Sequence, residues 1–386
     1  MIIAHSFTLC YDGIKIIVLH MEIIMKIVQY NEALNVSNEL PAYYKRFYLD
    51  ARLLFFDIET TGFVAKNTTL YLIGALWYED EKIKIIQWFN EDGTSEDVIL
   101  SAFNDFCKNF THLVHFNGLG FDLPYLSQKA DLLKIPFTEA ANLTQIDIYK
   151  EIRSYKNIFA LDNMKQISIE RYLNIDRQDT YSGKELISVY QRYVTRPNDE
   201  MEHLLLLHNH DDLLGMPSIS KILNYKAFFK EPDITSIQMA LVDNQLILTF
   251  TCDNSAYLPK RVSLTVNNIY LNAMEQQATL HIPVIHDTLK HYFTDYKNYY
   301  YLPKEDTAIH KSIAAFVEAD NKEKAKKDTC YVKKTDRFIP CHNDTLREVF
   351  QTELKAPDKY QTLESLQSAD TELQKEYIKS TLQIFI

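Results

Sequence analysis

The stretch LLFFDIETTGF, residues 53–63, is an apolar run that ends by setting two carboxylates, Asp57 and Glu59, two positions apart. A buried strand has no structural use for such a pair. Side chains alternate faces along a strand, so the two acids project on the same side, close enough to repel unless something positive lies between them. Downstream, TLYLIGALWYED (69–80) and KIKIIQWF (82–89) are rich in β-branched and aromatic residues and are separated by the polar Glu79, Asp80 and Glu81. They read as strand, turn and strand, giving three antiparallel strands. Ser95 then precedes a segment in which Val98, Leu100, Phe103, Phe106 and Phe110 recur at near-helical spacing behind an acidic first turn. THLVHFN (111–117) is the next short strand, and the pattern from Leu123 to about Leu223 is mostly helical. An antiparallel trio followed by strand and helix alternation predicts an α/β fold with a mixed sheet flanked by helices.

The chain has 386 residues, 46% apolar and 12% aromatic, enough for two cores. We expect an N-terminal extension and lead-in over residues 1–49, an α/β domain over 50–228 and a smaller β-rich domain over 229–386. In the last of these, residues 233–303 carry strand-like segments, 308–318 predicts a helix, and the end is lysine-rich and charged. The net charge of −11 excludes nucleic-acid binding through bulk positive charge, so any such contact must be local. Five widely spaced cysteines without a CxxC pair argue against a disulfide framework or a zinc site and fit a reducing cytoplasm. No uninterrupted apolar run predicts a transmembrane helix, and the first 30 residues lack the ordered regions of a signal peptide. Met21 and Met25 offer alternative starts, which makes much of residues 1–24 an expected dispensable extension.

Three features carry chemistry when taken together. The first is the Asp57/Glu59 pair. The second is HFNGLGFDLPYL (115–126), where Asn117 and Gly118 turn the chain after a strand and Asp122 follows at a helix entry; alone, this is an N-cap. The third is LLLLHNHDDLLGM (204–216), where His208 and Asp212 lie one helical turn apart on one face; alone, His208 is a core histidine. Four carboxylates, Asp57, Glu59, Asp122 and Asp212, converging in one place call for hard divalent cations, Mg²⁺ or Mn²⁺ rather than zinc.

FDIETTG, NGLGFD and HNHDD, in that order, resemble the three exonuclease motifs of the DEDD (DnaQ-like) 3′-5′ exonuclease superfamily. More closely, MKQISIERYLNIDR (164–177) and TYSGKELISVYQRY (180–193) are similar to the middle segment of YprB-like ribonuclease H-like proteins, so that the likeness covers roughly residues 50–225. The resemblance implies a ribonuclease H-like fold and hydrolysis of phosphodiester bonds at the 3′ end of single-stranded DNA or RNA. It implies two Mg²⁺ or Mn²⁺ ions held by Asp57, Glu59, Asp122 and Asp212, with Asp57 bridging, and His208 as the base that activates water. His208 departs from the Tyr that many YprB-like sequences carry there. The other open reading is a nucleic-acid-binding module or adaptor that keeps this fold with little or no turnover.

Further on, HYFTDYKNYYY (291–301) packs six aromatics closely, and residues 322–337 hold seven basic against three acidic side chains. Such a mixture suits unpaired bases and phosphates. Aromatics filling a small core beside solvated lysines is the preferred reading.

Overall fold

The computed structural model describes residues 4–11, 14–21, 26–30, 40–80, 82–253, 257–342 and 348–386. The chain divides into two units, Met1–Lys226 and Ala227–Ile386. In the first, strands β1 (Ala4–Tyr11), β2 (Ile14–Met21), β3 (Lys26–Tyr30), β4 (Leu53–Thr60), β5 (Leu70–Glu79), β6 (Lys82–Phe89), β7 (His112–His115) and β8 (Thr144–Asp147) form one sheet in the order β1-β2-β3-β6-β5-β4-β7-β8. Strands β4, β5 and β6 are antiparallel neighbours, as their sequences predict, whereas β4, β7 and β8 run parallel.

Because β4 is apolar on both faces, helices must cover both. On one side Leu54, Phe56 and Ile58 pack with Trp88 against Ile99, Leu100 and Phe103 of helix α2, numbered here in order after α1 (Ala42–Phe47) and spanning Glu96–Cys107. The helix α3 (Asp122–Leu133) adds Tyr125 and Leu126 to that core. Short helices α4 (Thr138–Asn142), α5 (Ile148–Ile152) and α6 (Lys156–Phe159) lead to α7 (Gln166–Tyr172), α8 (Gly183–Thr195), α9 (Asp199–Ile219) and α10 (Leu223–Lys230). On the opposite side Tyr71, Leu72 and Phe89 pack against Leu186, Val189 and Tyr190 of α8 and Leu205 and Leu206 of α9. Strand alternation therefore turns Asp57 and Glu59 away from α2 and toward α9. Strands β4 and β7, being parallel, also end on the same edge of the sheet, which puts the loop leading to α3 beside the two acids.

The segment from 123 to 223 contains one strand that helical periodicity hides. TQID of β8 is four residues long, too short to show a period, and forms only because β7 offers a parallel edge to it.

The second unit has a five-stranded antiparallel sheet in the order β11-β12-β13-β10-β9, built from β9 (Ile234–Val242), β10 (Gln245–Cys252), β11 (Leu258–Val266), β12 (Ile269–Glu275) and β13 (Gln277–Pro283). Strands β14 (Ile285–Tyr292), β15 (Tyr299–Leu302), β16 (Thr307–His310), β17 (Glu323–Lys324), β18 (Tyr331–Pro340) and β19 (Tyr360–Thr362) make two three-stranded sheets. The helix expected over 308–318 is shorter: residues 307–310 pair with β15, and only α11 (Lys311–Ala314) is helical. Phe293, Tyr296, Tyr299 and Tyr301 pack on Ala308, Ala325 and Cys330, with Phe293 and Tyr299 stacked 4.5 Å apart. After α12 (Leu363–Gln367), the charged tail forms α13 (Thr371–Leu382), capped by Asp370, and buries Tyr377, Ile378 and Leu382. Among the described residues no helix is long and apolar enough to cross a membrane.

Candidate metal centre

Helix α9 starts at Asn198, whose side chain accepts from the Met201 N–H, and runs for 21 residues across the sheet. It lies close at one point because β5 has no side chain there: a Cβ on Gly74 would fall 1.9 Å from Asn209 Oδ1. Asn209 is fully buried and works in both directions. Its Nδ2 donates to Asp57 Oδ2 at 2.9 Å, while its Oδ1 accepts from Gln87 Nε2 at 2.9 Å. Gln87 thereby fixes the amide's orientation, and the amide fixes Asp57.

Flanking Asn209, His208 and Asp212 reach the same space as Glu59. Oxygens of Glu59 and Asp212 and a ring nitrogen of His208 all lie within 4.8 Å of one another. His208 Nε2 stands 3.6 Å from Glu59 Oε1 and 3.6 Å from Asp212 Oδ2, beyond hydrogen-bond length from either. Glu59 Oε2 accepts from the Tyr71 hydroxyl at 3.3 Å. Asp122 is the first residue of α3, with Phe121 at the cap position, so it is not the N-cap that its context suggests. Its carboxylate instead accepts from the Ile58 backbone N–H and stands near enough to Asp57 and Glu59 to act on their ionisation. Glu59, His208 and Asp212 are thus gathered within 4.8 Å of one another, with Asp57 held beside them through Asn209 and Asp122 near enough to act on the ionisation of Asp57 and Glu59.

The electrostatics are those of uncompensated charge. Burial raises the Asp57 carboxyl well above the ordinary range, and the charges of Asp212, Glu59 and Asp122 push it further. Glu59 is raised to about 7, by burial first and then by Asp212 and Asp122, against the pull of His208. Asp122 is also raised to about 7, through burial and the neighbouring Asp147 and Asp212. Only the Asp212 side is met by a guanidinium among the described residues: Arg177 Nη1 donates to Asp212 Oδ1 at 2.6 Å and to Glu170 Oε2 at 3.1 Å. Oxygen donors from four carboxylates, three of them held above their ordinary range by burial and neighbouring charge, fit a divalent metal. An imidazole aimed between them but bonded to none of them fits a proton acceptor.

Several residues that build this arrangement are not evident from sequence. Asn209 sits inside HNHDD, yet nothing distinguishes a clamping amide from a spacer until Gly74 and Gln87 are seen opposite it. Asp147, at the end of the unrecognised β8, accepts from the backbone N–H groups of Asn117 at 3.0 Å and Leu119 at 3.2 Å. It so holds the turn, whose Asn117 has φ +63°, that delivers Asp122. Arg177 and Asp179 fall in a polar connection between two helices.

Residues 54–224 match the family model RNase_H_2, described as RNase_H superfamily. This part of the chain has a ribonuclease H-like fold. Strands β5 to β8 and all but the first residue of β4, with the acids near the end of β4, fall within the matched residues, whereas β1, β2 and β3 precede them. No curated protein matches the chain. Among solved structures, the family B DNA polymerase from the hyperthermophilic archaeon Pyrobaculum calidifontis is similar at 13% sequence identity and TM-score 0.39, over 64% of this chain and 35% of that one. The chain spans about a third of that polymerase's length, and so distant a likeness carries no argument about activity.

Proposed function

We propose that the protein is a metal-dependent 3′-5′ exonuclease of the DEDD type, hydrolysing phosphodiester bonds of single-stranded DNA or RNA. The observation that carries this reading is the set of carboxylates of half-buried Asp57 and buried Glu59 and Asp122, each raised first by burial and then by neighbouring acids, Asp212 among them in every case. Burying like charges is costly and gives the fold nothing in return, whereas a cation turns the same arrangement into a binding site. Asp57, Glu59, Asp122 and Asp212 would hold two Mg²⁺ or Mn²⁺ ions. When bound, these supply Lewis-acid activation of water and neutralise charge building on the phosphate.

The chain's own residues do the rest. His208 accepts a proton at Nε2, the ring atom that faces Glu59 and Asp212. Asn209 and Gln87 keep Asp57 from turning away. Phe63 follows the acid pair by four positions, is 87% exposed and meets Phe121 edge-on at 5.7 Å. An exposed ring next to the acids is a platform for an unpaired base, which favours single strands.

The test is digestion of 5′-labelled single-stranded DNA and RNA with Mn²⁺, in parallel with EDTA. A ladder shortening from the 3′ end, abolished by EDTA, is expected. Binding without turnover, unaffected by EDTA, would replace this reading with the binding-module one.

A further inference from the structure

We propose that Asp179 is a positioning residue for His208, fixing the tautomer that leaves Nε2 free to take a proton. The proposal rests on the hydrolytic reading for its effect on rate, but its geometry stands apart from it. Asp179 Oδ2 lies 2.6 Å from His208 Nδ1. An ionised carboxylate only accepts, and a neutral imidazole carries one N–H, so this bond places the hydrogen on Nδ1 and the lone pair on Nε2. Nε2 is the atom aimed between Glu59 and Asp212, at 3.6 Å from each.

Asp179 is itself held. Its side chain is 3% exposed, and its Oδ1 accepts from the Tyr181 backbone N–H at 3.0 Å. Three consecutive residues tie this loop to α9: Arg177 donates to Asp212 at 2.6 Å, and the backbone N–H groups of Gln178 and Asp179 both donate to Asp211 Oδ2 at 2.8 Å. Arg177 Nη2 also stands 3.5 Å from Asp179 Oδ2, steadying the oxygen that the imidazole uses. The connection between α7 and α8 therefore does more than link helices. It is locked to the helix that carries His208, Asp211 and Asp212, and it hands the imidazole its orientation.

The isosteric Asp179→Asn keeps the loop's size and its acceptor for Tyr181 while offering an N–H to Nδ1, which favours the opposite tautomer. Asp179→Ala removes the partner outright. Nitrogen-15 spectra of histidine-labelled full-length protein in alkaline, metal-free buffer should show an Nδ1–H tautomer for His208 that Asp179→Asn loses. In Mn²⁺, kcat of Asp179→Asn should fall by on the order of 10²–10⁴, as for His208→Ala, with KM and calorimetric Mn²⁺ affinity unchanged. The double variant Asp179→Asn/His208→Ala should be no slower than His208→Ala alone. Retention of the Nδ1–H tautomer in both Asp179 variants overturns the proposal, as do wild-type kcat in both or losses that multiply in the double variant. If wild-type protein hydrolyses nothing, the hydrolytic reading fails, and the spectra alone decide: loss of the Nδ1–H tautomer upholds the positioning, and its persistence rejects it.

Discussion

Asp306 of the second unit and the acids around Asp57 in the first are opposite in physics. In the second unit Asp306, on a turn with φ +51°, receives the Lys333 ammonium and the hydroxyls of Tyr301 and Tyr331, and these bonds hold its carboxyl far below the usual range. In the first unit Asp57, Glu59 and Asp122 are all held above theirs. The Asp306 cluster contains its own counter-charge and is complete. Among the described residues the other has no cationic side chain bonded to Asp57, and its remaining order comes from amides, a tyrosine hydroxyl and backbone N–H groups that orient oxygens without neutralising them. Lysines and tyrosines around an acid signify architecture; acids facing acids in a buried place signify a ligand.

The contrast can be broken most directly at Asp57. Asp57→Asn should reduce metal-dependent hydrolysis to background. It should also raise the thermal midpoint of the metal-free protein, by about 2–4 °C for each kcal/mol of repulsion relieved. An active variant, or one that melts lower, would place Asp57 with Asp306 among the structural acids.

Next in size is the pH dependence of stability without metal. Glu59 and Asp122 have folded values of about 7 against ordinary values of 4.5 and 3.8. The folded state therefore binds more protons than the unfolded one across that window, and stability present below about pH 4 is lost as pH rises to about 7. Melting curves in EDTA should fall in midpoint over this range and flatten when Mn²⁺ is added, because the metal replaces the protons. A midpoint that rises steadily with pH in EDTA would contradict the assignment of raised carboxyls.

Smaller again is the effect expected at the rim. Phe63→Ala should raise KM for single strands about fivefold, the loss of one stacking contact of ~1 kcal/mol, with kcat kept. Unchanged KM would remove Phe63 from the substrate path. Smallest is Asp306→Asn, which should leave hydrolysis untouched and lower the melting midpoint by at most about 2–4 °C, since the ion pair it breaks is largely solvated. A loss of turnover there would end the distinction between the two clusters.

What sequence disclosed and what it hid follow one physical rule. Strand β4 and its acids were readable because alternation along a strand needs no partner to be inferred, and the β4, β5 and β6 trio was readable because each strand is long and bounded by turn residues. His208 and Asp212 were readable from helical spacing. Asp147 was not, since the four residues of β8 become a strand only against β7. Nor were Asn209 and Asp179, whose partners Gln87, Asp57 and His208 are 122, 152 and 29 positions away in the chain. Local pattern reveals elements and the residues they point inward; the polar atoms that aim those residues are chosen by tertiary neighbours.

The bare backbone at Gly74 has a further consequence. The centre is assembled from two leaves, a strand leaf carrying Asp57 and Glu59 and a helix leaf carrying His208 and Asp212, and Gly74 sits where they touch, with Asn209 Oδ1 and Leu213 Cδ1 1.9 and 2.7 Å from where its Cβ would be. It acts as a gauge block of zero thickness. The gap between the leaves is set by the absence of an atom, so the spacing that a bound ion would require is written at a residue that bears no charge and offers no side-chain ligand.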